Sequence, residues 1–174
     1  RTWKNLNKKN YKQISQNNYK FNSNSATIKS WAYFLNRYLK HPFYDYKVYL
    51  IFRNDYSEAG LISIRIDKEE DSNVLRIVDY YGNPEILKDA GLGLQNIMIK
   101  ENIEYADFWS YGIDNKIMDN LGFRSINSNY KVIVPSYFEP FVNANNRILF
   151  AYKNLNSSAN VYHLASVLML SSPL

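Results

Sequence analysis

The sequence has no cysteine and only two histidines, His41 and His163, among its 174 residues. The absence of cysteine excludes disulfides, thiolate nucleophiles and cysteine-ligated metal sites. Because the two histidines lie far apart in the sequence, they give no basis for a histidine-ligated metal, and we expect none. Long apolar runs are missing as well. The longest candidate, Val161–Leu170, is far short of the roughly 20 residues that a membrane-spanning helix needs.

Acidic residues are absent from the first 40 positions, which carry nine Lys or Arg. The remainder has twelve basic and sixteen acidic residues, so the net charge of +5 belongs to the N-terminal region. Such a segment can bind phosphates or an anionic membrane surface. Its richness in Asn, Lys, Gln and Ser favours a polar, poorly ordered segment instead. We expect a basic polar arm over Arg1–Ser25 and, since the chain begins with Arg, a fragment or a processed product.

The rest of the sequence alternates between helical and strand patterns. Apolar residues at helical spacing predict a helix over Ala26–Lys40, which His41-Pro42 ends. Pro84 then opens a second helical pattern. Four segments carry strand signals, three before this second helix and one after it: Tyr46–Arg53, Leu61–Asp67, Val74–Tyr81 and Tyr105–Tyr111. The strand–helix–strand unit formed by the last two predicts a parallel pair with a right-handed crossover.

The C-terminal third predicts a short helix over Asp114–Asn120, which Gly122 can close in the left-handed conformation. Two further strands are predicted at Tyr130–Val134 and Arg147–Lys153. The last segment, 154–174, is open between an extra helix, a docking strand and a tail. Together these patterns predict an α/β (α+β) fold. It has a mixed, mostly antiparallel sheet with a central parallel strand pair, and helices on both faces.

Five phrases point to a known family: RYLKHPFYDY, LRIVDYYG, EYADFWSYG, LGF and VIVPSYFEPF. Together they resemble GNAT-like proteins of bacterial surface-polysaccharide biosynthesis, within the GNAT superfamily of acyl-CoA N-acyltransferases. The resemblance covers roughly Thr27–Tyr152, so we expect a GNAT-like domain over residues 26–153. It implies a cytoplasmic enzyme that transfers an acyl group, usually acetyl from acetyl-CoA, to an amine. The implied acceptor is a small molecule such as a nucleotide-linked amino sugar.

The resemblance also implies where the cofactor binds. In this fold it lies between two parallel strands that separate, here Val74–Tyr81 and Tyr105–Tyr111. Backbone groups on the first of them would hydrogen-bond the pantetheine arm: Val78, Asp79 and Tyr80. The pyrophosphate would lie at the N-terminus of the following helix, where free N–H groups and the helix dipole favour negative charge.

The family's phosphate-binding signature is Gln or Arg, two residues, Gly, one residue, then Gly or Ala. Here the residues Lys88, Gly91 and Gly93 match it, with Lys as a point charge in place of the Arg fork. The stretch comes late, however, because Pro84 and the spacing that follows it predict a helix that has already begun. In a continuous helix, two interior glycines cost about 1 kcal/mol each relative to Ala. If the helix is continuous, the anion site moves upstream to Gly82 and Asn83.

Acylation of an amine needs a base for the ammonium proton and a donor for the oxyanion, and often an acid for the leaving thiolate. Asp79 is the candidate base. It lies at the carboxyl end of a strand, where open sheets place ligands, and shares a predicted face with Leu75 and Ile77. Alternatively, Asp79 caps the next turn or pairs with Arg76 or Arg65.

The sequence offers no clear candidate for the general acid that protonates the leaving thiolate. In the family it is commonly a Tyr five residues before the Phe of the terminal Gly-Phe, and Met118 holds that position here. Since Met118 cannot donate a proton, Tyr111 is the candidate substitute. The departure also supports a second hypothesis, a non-catalytic GNAT-like binding or scaffold domain of a larger glycan-assembly protein. A third, aminoacyl transfer from a charged tRNA, has only the basic arm in its favour, so nucleic acid is not the expected partner.

Four further residues are candidate acceptor contacts: His41, Asp107, Trp109 and Glu139. His41 could reach the acceptor pocket or merely cap the first helix, whose C-terminus favours a cation. Asp107 and Trp109 lie on one strand face, which could be an aromatic substrate wall or ordinary core. Glu139 is an acid among aromatic residues in a loop that we expect to be ordered.

Overall fold

The computed structural model of the protein describes residues 2–7, 10, 14, 19–21, 28–52, 58–69, 72–126, 133 and 163–171. Within these ranges the chain forms a seven-stranded sheet in the order β1-β2-β3-β4-β5-β7-β6. The strands are β1 (Thr2–Leu6), β2 (Tyr46–Phe52), β3 (Ala59–Glu69), β4 (Ser72–Gly82), β5 (Tyr105–Tyr111), β6 (Arg124–Ser125) and β7 (His163–Ser171).

Three helical segments accompany the sheet in the described ranges. The first is α1 (Trp31–Phe34), which continues as a π-helical turn over Leu35–Leu39. The second runs through α2 (Pro84–Leu87), a 3₁₀ turn (Lys88–Ala90) and α3 (Gly91–Lys100). The third is α4 (Asn115–Asn120). None of these helices has the length and apolar character needed to cross a membrane.

The pairing confirms the predicted mixed sheet. β4 and β5 pair in parallel, whereas the other five described strand pairs are antiparallel. The helical run that begins at Pro84 connects the two parallel strands, as the strand–helix–strand pattern predicts. The prediction that Gly122 closes α4 is also confirmed. Its φ is +87°, and Phe123 N–H donates to the Met118 carbonyl at 3.0 Å, which is the hydrogen bonding of a left-handed helix cap.

The two faces of the sheet carry separate hydrophobic cores. Side chains alternate along a strand, so on β2 Val48 and Leu50 face one core and Ile51 the other. The α1-side core consists of Leu6, Ile14, Phe34, Tyr38, Val48, Leu50, Phe52, Ala59 and Leu61. The α3-side core includes Ile62, Ile64, Leu75, Ile77, Leu87, Leu94, Met98, Phe108 and Met118. Helices therefore cover both faces, as predicted.

The segments that flank the predicted domain each contribute a strand. β1 lies inside the predicted polar arm and pairs antiparallel with β2, with Leu6 buried at its end. Sequence patterns miss it because an edge strand is stabilised by its neighbour's hydrogen bonds more than by its own alternation. β7 pairs antiparallel with β5 and β6, which is the docking-strand alternative for the C-terminal segment.

Other boundaries differ from the predictions. Residues 28–30 precede α1 in non-helical conformation, and the helix begins at Trp31 instead of Ala26. Ser30 is the N-cap, since its hydroxyl accepts the Tyr33 N–H at 3.1 Å. The predicted strands Tyr130–Val134 and Arg147–Lys153 lie outside the described residues, apart from Ile133.

Candidate functional site

The parallel ladder between β4 and β5 ends before either strand does. It runs from the Val74–Tyr105 pair to the Ile77–Phe108 pair. β4 then continues to Gly82 beside β3, and β5 continues to Tyr111 beside β7. Between the described parts of the two strands, the downstream half of β4 therefore has no ladder partner on its β5 side. Backbone groups in such a position can receive an extended ligand as an added strand would be received.

A β-bulge lies at the point where this ladder ends. On β3, Ser63 pairs with Asp79 and Ile64 with Ile77, so Val78 is the extra residue on β4. A bulge reverses the alternation of side chains beyond it. Ile77 lies in the α3-side core, whereas Val78 packs against the α1-side core.

Asp79 accordingly lies on the α1 side of the sheet. Its carboxylate contacts Tyr38, a member of the α1-side core. The prediction that Asp79 shares a face with Leu75 and Ile77 is wrong, because alternation was counted through the bulge. A bulge carries no sequence signal of its own here, since Val78 is an ordinary strand residue.

Two donors hold the Asp79 carboxylate, which is only 6% exposed. The Tyr38 hydroxyl donates to Oδ2 at 2.8 Å. The Lys29 ammonium donates to Oδ1 and forms an ion pair with it. The sequence predicted that Asp79, if not a base, would cap a turn or pair with Arg65 or Arg76. Its partners are Lys29 and Tyr38 instead. Asp79 is thus a buried acceptor whose partners come from the π-helical turn that follows α1 and from the segment just before α1.

The two tyrosines near Asp79 carry no charge at neutral pH. Burial raises the pKa of the Tyr38 hydroxyl, and the nearby charge of Asp79 raises it further. Burial also raises the pKa of Tyr33, again with help from Asp79. Both phenols therefore stay protonated at neutral pH, and Tyr38 acts as a donor that stabilises the carboxylate. The Tyr33 ring lies 5.7 Å from the Lys29 ammonium, within cation–π range.

A buried hydroxyl lies directly across the strand pair from Asp79. Ser63 is 0% exposed, and its Oγ has no hydrogen-bond partner among the described residues. Buried polar groups are nearly always hydrogen-bonded, so an unpartnered one calls for an explanation. Next to the candidate base, it offers a donor to a ligand oxygen. The site can thus accept a proton at one group and donate a hydrogen bond from another.

The glycine stretch does not form a loop. Gly91 has helical dihedrals (φ −53°, ψ −50°), and Gly93 lies within α3, so the structure has the continuous helical run of the second alternative. A Cβ at Gly93 would lie 2.2 Å from the Trp3 ring, which explains a glycine there by packing against β1. Lys88 pairs with Glu85 at 2.5 Å. The interpretation of Lys88, Gly91 and Gly93 as a phosphate loop is therefore wrong.

The other predicted anion site does occupy a helix start. Asn83 caps α2 by accepting the Glu85 N–H at 3.0 Å, and its own carbonyl accepts the Tyr80 hydroxyl at 2.7 Å. Gly82 has φ +147°, and a Cβ there would lie 2.7 Å from the Ala59 carbonyl oxygen. Only glycine fits this position. The turn that joins the free half of β4 to the helix is therefore tightly specified.

Of the candidate acceptor contacts, His41 has a turn-capping role. Its Nδ1 accepts the N–H groups of Phe43 at 3.2 Å and Tyr44 at 3.0 Å. Its ring lies 5.1 Å from that of Tyr46. Glu139 lies outside the described residues. Tyr111 is the last residue of β5, and its backbone pairs with His163.

Asp107 and Trp109 belong to the interior. Asp107 is wholly buried and accepts Arg76 Nη1 at 2.7 Å, while Trp109 is 3% exposed. The face of β5 that carries Asp107 and Trp109 is therefore part of the protein interior, as one of the two predicted alternatives has it, and is not an exposed substrate wall. Met118, at the family's acid position, is 1% exposed in the α3-side core, on the opposite face of the sheet from Asp79. In the described ranges, no group of three or more acidic or histidine side chains is placed to hold a metal ion.

A separate pocket of about 240 Å³ lies toward the opposite end of β4. Its lining includes Tyr44, Lys47, Arg65, Asp67 and Glu101. Asp67 pairs with Val74 at the beginning of β4, so this pocket is remote from the end of the parallel ladder. Its opposite charges largely pair with each other, Arg65 with Asp67 and Lys47 with Glu101.

No protein-family model matches this chain, and no curated protein shows significant similarity to it. The geometry of the site must therefore carry the functional argument. Sequence reasoning found Asp79 but missed the groups around it: Lys29, Tyr38 and Ser63. Ser63 was visible on the polar face of its strand, opposite Ile62 and Ile64. Lys29 and Tyr38 gave no signal, because only the packing of α1 on the sheet brings them to Asp79.

Proposed function

We propose that this chain is a cytoplasmic, acyl-CoA-dependent N-acyltransferase of the GNAT type. It would transfer an acetyl or other acyl group to an amine, such as that of a nucleotide-linked amino sugar used for a surface glycan. One observation carries the proposal. The β4–β5 ladder ends at Ile77–Phe108 while both strands continue, and the buried Asp79 lies just beyond the last pair.

The free half of β4 suits an extended thioester carrier. Backbone groups of Val78–Tyr80 would hydrogen-bond the pantetheine arm, as an added strand bonds to a sheet edge. The turn at Gly82 and Asn83 leads into a helix whose dipole favours a pyrophosphate, and a bound phosphate would replace the Asn83 side chain as the acceptor of the Glu85 N–H. Acetyl-CoA would supply the acyl group in activated form, as a thioester.

Asp79 would accept the ammonium proton of the acceptor. Its partners Lys29 and Tyr38 hold the carboxylate in place by donating to both of its oxygens, and an incoming amine would take over one of these contacts. Asp79 is only 6% exposed, so little of it contacts solvent. Ser63 pairs with Asp79 and its hydroxyl has no partner among the described residues, so it would donate to the oxygen on which negative charge develops once a ligand is bound there.

The first experiment is titration calorimetry with acetyl-CoA, together with a thermal-shift assay. The proposal expects saturable binding and a raised melting temperature. Absence of both at millimolar acetyl-CoA would contradict it. With binding established, Asp79→Asn should lower turnover about 100-fold with little change in cofactor affinity, since a general base contributes 10²–10⁴-fold. Asp119→Asn, at an exposed position on α4, is the matched control and should leave turnover unchanged.

A second candidate is a GNAT-like binding or scaffold domain without catalysis. Both Asp79 oxygens are already engaged, and Met118 is packed in the core. This candidate expects binding of acetyl-CoA, or of CoA alone, with no acyl transfer to any amine. Saturable binding with thiol release no faster than the spontaneous rate would favour it over the enzyme.

A further inference from the structure

The Lys29 amine contacts the carboxylate that would act as base for an acceptor amine in the proposed reaction. Its ammonium donates to the carboxylate of Asp79, the candidate base, one residue beyond the bulge at Val78. The Lys29 side chain is 18% exposed, and the Asp79 side chain is 7% exposed. An amine held against this carboxylate lies beside the opening of the β4–β5 ladder. No external acceptor is needed to complete that arrangement.

Lys29 differs in this respect from other paired lysines of the described chain. Lys47 and Lys88 bond glutamates whose side chains are 26% and 55% exposed. Such surface pairs contribute little and exchange readily with water. Lys29 instead reaches a buried carboxylate and also lies over the Tyr33 ring. Among these three lysines, Lys29 is thus the one whose amine contacts both a buried carboxylate and an aromatic ring.

We propose that Lys29 is an acyl-acceptor site, so that the chain acylates its own Lys29 Nζ in cis. This inference rests on the proposed function and names a substrate for the same site. Lys29 precedes the N-cap Ser30 in non-helical chain, so its backbone is not fixed within α1. Its side chain can therefore move from the carboxylate toward an acyl group bound beside it.

The reaction balances without any further reactant than an acyl thioester. Asp79 accepts a proton from the Lys29 ammonium, which leaves a neutral amine. The amine nitrogen attacks the thioester carbonyl, a C–N bond forms and the C–S bond breaks. The thiolate leaves with the bonding electron pair and takes up the second proton, which the nitrogen loses as it becomes an amide. The carboxyl group of Asp79 then releases the first proton to solvent. The product is a neutral amide at Lys29, which ends the Lys29–Asp79 ion pair.

The test incubates the purified chain with acetyl-CoA and follows intact mass, with peptide mapping to locate the modification. We expect one acetyl group per chain, at Lys29. The first-order rate constant should be independent of protein concentration, because amine and base belong to one molecule. Lys29→Arg, which keeps the charge, should abolish this modification, and Lys88→Arg should leave it unchanged. Asp79→Asn should slow it about 100-fold while acetyl-CoA still binds.

The contrary outcomes are distinct. Acetyl-CoA that binds without modifying Lys29 overturns this inference and leaves the proposed function standing. Acetyl groups spread over exposed lysines, a rate that rises with protein concentration, or an unchanged rate in Asp79→Asn would each overturn it, as the marks of non-enzymatic or intermolecular acylation. Failure to bind acetyl-CoA overturns the proposed function and this inference together. Site mapping and concentration dependence need only the unaltered chain, so a variant that fails to fold does not affect them.

Discussion

The two halves of β4 each carry a buried charge pair, and the pairs are built differently. In the upstream half, Arg76 lies between paired strands and bonds Asp107 of β5 at 2.7 Å. The same guanidinium bonds Asp67 of β3 at 2.6 Å. Sheet residues alone thus form a network across three hydrogen-bonded strands, and its members cannot move apart while the ladder holds.

In the downstream half, Asp79 lies beyond the last β4–β5 pair. Its partners, Lys29 and Tyr38, come from the α1 side of the sheet. The lysine side chain is 18% exposed, against 9% for Arg76 and 0% for Asp107. Burial alone therefore does not identify a functional carboxylate, since both aspartates are buried. The Arg76–Asp107 pair joins two strands within the ladder, whereas the Asp79 carboxylate lies beyond the ladder and bonds a partly exposed lysine from outside the sheet.

The largest expected effect tests the upstream pair. Asp107→Asn removes one charge of a buried pair and leaves Arg76 with an uncompensated side, so we expect a loss of about 3 kcal/mol in the free energy of unfolding. Urea denaturation measures it. Asp79→Asn should cost less than this, since Lys29 can turn toward water. A larger loss for Asp79→Asn than for Asp107→Asn would contradict the view that the upstream pair contributes more to stability than the downstream pair.

The next effect concerns the helix that follows β4. Gly93→Ala places a Cβ against the Trp3 ring, and we expect a loss of about 2 kcal/mol from this overpacking. Gly91→Ala is the matched control. Its Cβ would meet the Leu121 carbonyl at an ordinary 3.5 Å, so the better helix propensity of Ala should stabilise the protein by about 0.5–1 kcal/mol. Thermal unfolding of both variants measures the difference, and equal losses would argue against packing as the reason for Gly93.

A smaller loss of stability is expected when the hydrogen bond from Tyr38 to Asp79 is removed. Tyr38→Phe keeps the ring packed against Phe34 and Tyr46 but removes the donor to Asp79. We expect a loss of about 1 kcal/mol in stability. A double-mutant cycle with Asp79→Asn isolates the hydrogen bond. A coupling energy indistinguishable from zero would mean that the bond does not stabilise the carboxylate.

The smallest effect comes from the surface pair of Lys47 and Glu101. The hydrogen bond and charge of Lys47 lower the pKa of Glu101 in the folded protein. Its contribution is therefore complete above the ordinary glutamate pKa of about 4.3 and is lost as the pH falls through the lower folded value. We expect Glu101→Gln to remove a few tenths of a kcal/mol at neutral pH, and less in strong acid. Urea denaturation at several pH values checks this, and a loss that grows in acid would reverse the assignment.

The local features of the site followed well from residue patterns. The end of β4, the proline start of the next helix and the parallel partner β5 were all predicted, and Asp79 was singled out. The bulge at Val78 was not, and it changes the face on which Asp79 lies. The glycines illustrate the same limit. Their spacing fits a phosphate loop as well as a helix, and only the nearby Trp3 ring explains Gly93.

Residue patterns predict the order of helices and strands from α1 to α4, because periodicity, proline and glycine act over a few residues. Tertiary structure decided which groups meet. Contacts such as Lys29 with Asp79 join residues 50 positions apart, and no local pattern encodes them. The early end of the β4–β5 ladder coincides with the bulge at Val78, and neither has a local signal, because strand pairing joins residues that are distant in the sequence.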